Sequence, residues 1–441
     1  MSASVSHCKE NMLTIEISIE LKGSMLDMEN AIQEELNHAG RLATEEALRR
    51  FDTDGTPITL KGKKLTARKQ KATQYYECPY GTVHIDRYIY QSNEGGYTYC
   101  PLEDGARIFV TATPRYAQIV SGLYADLDGG KTCRTLYSLL RRKTAKANVQ
   151  NLAESVASVA QIKEENWEYD IPKLDAEVAS VAFGLDGAYV MMREDGWREA
   201  MCGTISLYDK KGERLYTSYF AAPPEYGKQK FHAKMDREIE RTKARFPTAK
   251  YVGLGDGAKD NWTFLRRHTK DLLLDFWHVS EYIHKAADAY WGSAAKWKES
   301  KDAWLEQWLH TLKHAKDGAM LLLNELKERK SELTGEKAET VRKTITYMEN
   351  HLELMKYGTF VRRHLPIGSG VTEASCKTVI KSRMCVSGAG WSPTGSGVVL
   401  TLRALHLSEP TWDSFWSRVM RYGVPGSHEY GPKTPIADTI N

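Results

Sequence analysis

Residues 178–193 read VASVAFGLDGAYVMMR, an apolar, strand-like run with a single carboxylate, Asp186, in its middle. Taking a carboxylate out of water is costly unless a partner or a metal compensates it. The fold therefore has to supply Asp186 with such a partner. A second run of the same design, KYVGLGDGAKD at residues 250–260, carries a short β-type segment into a glycine-flanked turn at Asp256. Two strands ending in Asp-Gly predict two carboxylates at one edge of a sheet. A third acid, Glu373, lies in GSGVTEASCKTVIKSRM, where a glycine-rich turn opens a segment of helical period. Three acids from three separated elements make an oxygen-donor set suited to hard divalent cations. The plainer alternative gives each acid an unrelated salt bridge. Strongly perturbed acids cluster at functional sites, which favours a shared one.

A chain of 441 residues has room for two or three domains and a sizeable core. No apolar run approaches the ~18 residues of a membrane span, so no membrane partner is expected. The opening MSASVSHCKENMLTIEIS lacks the positive start and apolar centre of a secretory signal. The seven cysteines are scattered and odd in number, which fits a reducing cytoplasm better than a disulfide framework. A formal charge of +4 is too small to imply a polyanionic partner by itself. Its distribution says more.

Residues 25–51 carry acids, Ala and Leu at helical spacing and predict an amphipathic helix, either scaffold or dimerisation element. The run LKGKKLTARKQKATQY at residues 60–75 contains Lys61, Lys63, Lys64, Arg68, Lys69 and Lys71 with no acid. Such a run favours phosphates, and an ordinary solvated basic surface has the same composition. Between residues 74 and 102, Tyr, Val and Ile alternate with turn signals, predicting a small β-meander. Cys78, His84 and Cys100 sit within it without the paired Cys-x-x-Cys spacing of structural zinc, and zinc there is left open. Residues 113–127 read as a helix capped by Thr113 with Pro114 in its first turn, and two further helices are predicted near 131–142 and 146–159. Arg134, Arg141, Arg142, Lys143 and Lys146 cluster there without an acid between them. Short helices around a basic turn fit a helix-turn-helix with the last helix as reader, and equally an ordinary bundle with a charged rim.

After a linker at 166–174 the pattern becomes strand, strand, strand, helix, strand with Asp256, helix, and strand at 272–276. Hairpin-linked strands followed by β-α-β alternation predict a mixed sheet with helices packed on it. Residues 279–363 are helical in period, and Tyr290, Trp291, Trp297, Trp304 and Trp308 read most simply as their core, with base stacking by one of them as the alternative. Glu373, Lys377 and Lys381 are spaced four apart and share a helix face, which sets two cations beside the third acid.

In this order the motifs FGLDG (Asp186), GLGDGAKDNW (Asp256), DFWH (Asp275 and His278) and GSGVTEASCK (Glu373) resemble those of bacterial insertion-sequence DDE transposases, most closely the ISKra-type group, relatives of the Mutator and hAT transposases. The resemblance spans roughly residues 176–406. It implies an α/β RNase H-like catalytic domain, a mixed sheet with flanking helices, split into 175–278 and 364–410 by an all-helical insertion at 279–363. Before it come an N-terminal helix and β-meander region at 1–110 and a helical, helix-turn-helix-like DNA-binding region at 111–165. After it comes a C-terminal tail at 411–441. The resemblance further implies that Asp186, Asp256 and Glu373 hold two Mg²⁺ ions, replaceable by Mn²⁺, and catalyse strand cleavage and strand transfer. Asp275 and His278 would support the site or contact DNA, and a purely structural His278 remains open. Some insertion-sequence families carry a basic residue seven positions after the glutamate; Ile380 stands there, and the role would pass to Lys377 or Lys381. The partners implied are double-stranded transposon ends and target DNA, gripped by a homodimer or larger synaptic assembly in a bacterial cytoplasm. The rival readings are a metal-dependent nuclease of the same fold and a non-catalytic DNA-binding derivative.

Overall fold

Strand periodicity and helical periodicity alternate along residues 171–410, and there they build a mixed sheet covered on both faces. The computed structural model describes residues 2–9, 12–225, 228–292, 294–331, 333–424 and 429–433. The chain forms two compact units, one of residues 171–410 and one of residues 1–170 with 411–441.

In the first of these units, β1 (Ser180–Met192) and β2 (Gly196–Tyr208) form a long hairpin, and β3 (Arg214–Ala222) adds antiparallel to β2. On the other side of β1 lie β4 (Lys250–Gly255) and then β5 (Asp271–Leu274), both parallel to it. The order across the sheet is β3-β2-β1-β4-β5. β1 is central, which is why Val181, Ala182, Phe183 and Leu185 form a near-continuous buried run instead of alternating.

Successive strand residues face opposite sides. Gly203 therefore meets Phe231 and Met235 of α1 (Gln229–Arg245), while Cys202 and Thr204 face the opposite layer. The short α2 (Lys259–Leu265) follows β4. After β5 come α3 (Phe276–Trp291), α4 (Lys298–His314), α5 (Gly318–Lys330), α6 (Gly335–His351) and α7 (Tyr357–Arg362). Trp304, Leu312, Leu322, Leu326, Val341 and Met348 give these helices a core continuous with that of the sheet. Full burial of one such side chain stabilises by about 1.5–3 kcal/mol. Tyr290, Trp291 and Trp308 pack against this core as well, and Trp297 is exposed.

The chain returns to the sheet through α8, residues 370–384, which is α-helical at Gly370–Ser375, π-helical at Cys376–Lys381 and α-helical again at Ser382–Met384. A π-turn widens the helix and loosens the usual carbonyl pairing. The buried Arg403, on α9 (Pro393–Leu407), donates to the Thr378 carbonyl, to that of Val379 (2.7 Å) and to the Ser382 hydroxyl (3.0 Å).

The other unit opens with an antiparallel hairpin, Ser2–Lys9 with Met12–Ser18, which the sequence reading did not foresee. The helix Met25–Arg49 follows, started by a reciprocal Ser24–Asp27 capping box. The expected meander forms, but as two separate pieces. Ala72–Cys78 pairs with Gly81–Arg87, while Tyr90–Ser92 and Gly95–Tyr99 join a sheet with Ile58–Leu60 and Lys63–Ala67. Three helices follow at Pro114–Asp126, Gly129–Leu140 and Lys146–Lys163. The expectation of a C-terminal tail at 411–441 needs correction. Thr411–Tyr422 is a helix whose Trp416 meets Phe109 (5.3 Å) and whose Phe415 meets Trp167 (6.0 Å), and Glu429–Lys433 pairs with Gly95–Tyr99. Residues 425–428 and 434–441 lie outside the described part. Among the described residues no helix is long and apolar enough to cross a membrane.

Candidate active site

Ladder register places the two aspartates. β4 pairs with β1 from Lys250–Ser180 to Leu254–Gly184, and continuing that register two residues sets Asp256 level with Asp186. Gly257, at φ 115°, turns the chain away immediately afterwards, a conformation suited to glycine. Asp186 is directly opposite Cys202 on β2, so both face α8.

Hydroxyl and thiol contacts seat α8 on this face: Thr372 Oγ1 lies 2.7 Å from Thr204 Oγ1, and Ser375 Oγ lies 3.0 Å from Cys202 Sγ. A Cβ at Gly184 would stand 2.5 Å from Thr372 Oγ1, so the glycine of FGLDG permits the close approach. Glu373 is thereby brought over the two aspartates. Asp186, Asp256 and Glu373 line one cleft of about 230 Å³, together with Leu185, Gly255, Trp277, His278, Glu281, Ser369 and Thr372.

Burial is the main influence on the Asp186 carboxyl and pushes its pKa up, helped by the charge of Asp256. The Gly187 N–H (2.7 Å), the Cys376 thiol and the charge of Lys381 pull it the other way. Glu373 is also pushed up, first by burial and then by the charges of Asp275 and Asp186, while Lys377 and His278 oppose the shift. Both lysines thus act on the acids, and Ile380 is fully buried in the core.

Asp275 belongs beneath the cleft and contacts no solvent. One carboxyl oxygen accepts the His278 N–H (2.6 Å) and caps α3; the other accepts the Ser369 N–H just before α8. That geometry ties α3 to the start of α8 and leaves Asp275 no exposed atom. His278 is half-buried on the cleft wall, its ring edge-on to Tyr282 (5.7 Å) and Tyr347 (6.0 Å). Tyr347 stacks on Tyr282 (4.1 Å) and its hydroxyl donates to the Asp256 carbonyl (3.3 Å), so the helical insertion buttresses the Asp256 turn.

Sequence reasoning missed Glu281, Trp277, Ser369 and Cys376. Trp277, 65% exposed, and Glu281 share the first turns of α3 with His278, which was the available signal. Nothing local marks Ser369 or Cys376.

The donor chemistry suits hard cations. Among the described residues Asp186, Asp256 and Glu373 form no salt bridge, so their oxygens are not committed to a cation of the chain itself. No three His, Cys, Asp or Glu side chains among the described residues close into a cage for one ion. Mg²⁺ does not require one, because it keeps several waters and takes only one or two carboxylates.

In the other unit the expected DNA-contacting residues divide by burial. Lys61, Lys63 and Lys64 are exposed on the Ile58–Ala67 hairpin, with Arg68 and Lys69 just beyond. Arg134 and Lys143 line an open hollow of about 470 Å³ with Cys133, Tyr137 and Thr144, and Arg141 and Lys143 each stand 5.8 Å from the Tyr137 ring. Lys146 opens the last helix, exposed. Arg142 is the correction: it is 8% exposed, ion-paired with Glu77 and set over the Tyr116 ring (5.3 Å), so it holds the fold. The zinc question also resolves against a shared site, since Cys78 and Cys100 are buried in an apolar core while His84 points to solvent.

No protein-family model and no curated protein matches this chain.

Proposed function

We propose that the chain is a DDE-class DNA transposase with an RNase H-like catalytic unit at 171–410. The observation that carries the reading is the meeting of Asp186, Asp256 and Glu373 on one cleft at the centre of a β3-β2-β1-β4-β5 sheet. Asp186 and Asp256, with Glu373, would hold two Mg²⁺ ions. Bound there, the ions supply an activated water or DNA 3′-hydroxyl and stabilise the leaving oxygen of an in-line displacement at phosphorus. No nucleophile from the chain is required.

The chain's own residues set the conditions for that chemistry. Asp275 ties α3 to the start of α8 and so holds Glu373 over the aspartates. Lys377 and Lys381 offset part of the negative charge of the acids. Because burial raises the pKa of Asp186 and of Glu373, ion binding at the cleft should strengthen as pH rises. The exposed cations of the other unit would neutralise phosphates and make DNA binding fall steeply with salt. Two element ends have to be handled together, which favours a dimer or larger assembly.

The test is strand joining. Purified protein is incubated with a pre-cut duplex carrying the DNA that flanks its coding sequence, a supercoiled plasmid, and Mg²⁺ or Mn²⁺. Joined product is expected, and Asp186→Ala should abolish it while leaving duplex binding intact. Nicks without joining would instead assign a nuclease that uses the same acids. Asp256→Asn with every activity unchanged would defeat the catalytic assignment.

A further inference from the structure

Ser369 sits immediately before α8 and is only 4% exposed. Its N–H is taken by Asp275, and its carbonyl accepts the amides of Thr372 (2.7 Å) and Glu373 (3.0 Å). The hydroxyl alone has no partner among the described residues, although the residue lines the acid cleft. Buried polar groups are almost always paired, so an orphan hydroxyl beside a cleft marks a place where a ligand completes the pairing. Two neighbours add to this. The amides of Gly370 and Val371 open a 15-residue helix and, as at any helix start, have no partner within it. A Cβ built on Gly370 would meet nothing within 4 Å, so open space stands over that end of the helix.

Water, a cation or an anion can each complete such a group, and the surroundings decide between them. A neutral hydroxyl is a donor as well as an acceptor, and helix amino ends favour negative charge. We propose that the Ser369 hydroxyl donates a hydrogen bond to a non-bridging oxygen of the phosphodiester in this cleft, forming an oxyanion subsite beside the acids. The inference rests on reading the cleft as a phosphoryl-transfer site. It assigns Ser369 to the substrate and leaves the cations to the three carboxylates.

The full-length chain is tested as wild type, Ser369→Ala, Ser369→Thr and Asp186→Ala. Mn²⁺ binding is measured without DNA from the free-ion paramagnetic resonance signal, and nicking of supercoiled plasmid is followed at saturating Mn²⁺. Ser369→Ala should keep wild-type Mn²⁺ affinity, melt no lower than wild type, and nick roughly tenfold to a hundredfold more slowly, the range for one hydrogen bond to a charged group. Ser369→Thr, which retains a hydroxyl, should recover most of the rate. Asp186→Ala should lose both ion and rate. Wild-type nicking by Ser369→Ala overturns the subsite alone, and so does a loss of Mn²⁺ affinity as large as the loss of rate, which would make Ser369 an ion ligand. A wild-type chain that neither binds Mn²⁺ nor nicks overturns the phosphoryl-transfer reading and the subsite with it.

Discussion

Replacing Asp275 should unfasten the helix that carries Glu373. The carboxylate is fully buried, and its two oxygens serve two different elements, the α3 amino end through His278 and the residue before α8 through Ser369. In Asp275→Ala the lost cap costs about 1 kcal/mol. The buried Ser369 N–H, left without an acceptor, adds about 1–3 kcal/mol. A total of ~3 kcal/mol in a unit of 240 residues, 171–410, corresponds to a fall in melting temperature of roughly 6–12 °C. Asp275→Asn keeps one acceptor oxygen and turns an amide against the other donor, so it should lie between alanine and wild type. Thermal unfolding followed by tryptophan fluorescence measures the fall, and amide hydrogen exchange locates it. Exchange should quicken at Ser369 and through the first turn of α8 before it quickens in β1. Both variants melting with wild type, and unchanged protection at Ser369, would refute the reasoning that this buried acid is a fastener.

Other consequences follow from the same geometry. Asp186 and Glu373 have folded-state pKa values raised above their unfolded ones, mainly by burial, so the native chain binds more protons than the unfolded one in that window and stability falls as pH rises through it. Asp186→Asn and Glu373→Gln should accordingly melt above wild type at pH 7, with the gap closing as pH drops below the ordinary carboxylate range; a lower-melting Asp186→Asn at pH 7 contradicts this. Cys376→Ala deletes the thiol that hydrogen-bonds Asp186, and should weaken Mn²⁺ binding about tenfold in calorimetry, with Cys376→Ser recovering most of it. Arg142→Ala strands Glu77 and should destabilise the unit of residues 1–170 and 411–441 by roughly 2–4 kcal/mol in denaturant unfolding. Lys143→Ala should leave stability within about 0.5 kcal/mol and lower the salt slope of DNA binding by about 1; equal effects from the two variants would erase the distinction between them.

What the sequence made legible was periodicity and cost. Apolar runs with a lone acid located β1 and β4, and tryptophans at helical spacing located the core of the insertion, because those signals are local. Long-range pairing was not legible. Arg142 lies in a run of cations that reads as a surface, and its burial depends on Glu77, 65 residues earlier. Thr411–Tyr422 was read as tail, because the aromatic residues that bury Phe415 and Trp416 lie hundreds of positions upstream. The sharpest case is the set of three aspartates. Asp186, Asp256 and Asp275 all follow or interrupt apolar β-type segments, and beyond the glycine that follows the first two, residue type and spacing do not rank them. Hydrogen bonding does. Asp275 has an amide on each oxygen, one of them from Ser369, 94 positions away, and it contacts no solvent. Asp186 accepts the Gly187 amide and the Cys376 thiol, Asp256 accepts the Ala258 amide, and among the described residues neither is ion-paired while both line the cleft. A carboxylate with an amide on each oxygen and no opening to solvent is out of reach of a ligand and so serves the fold. The other two, held level by strand register with Glu373 brought over them, open onto the cleft and are the pair to which the proposed chemistry is assigned.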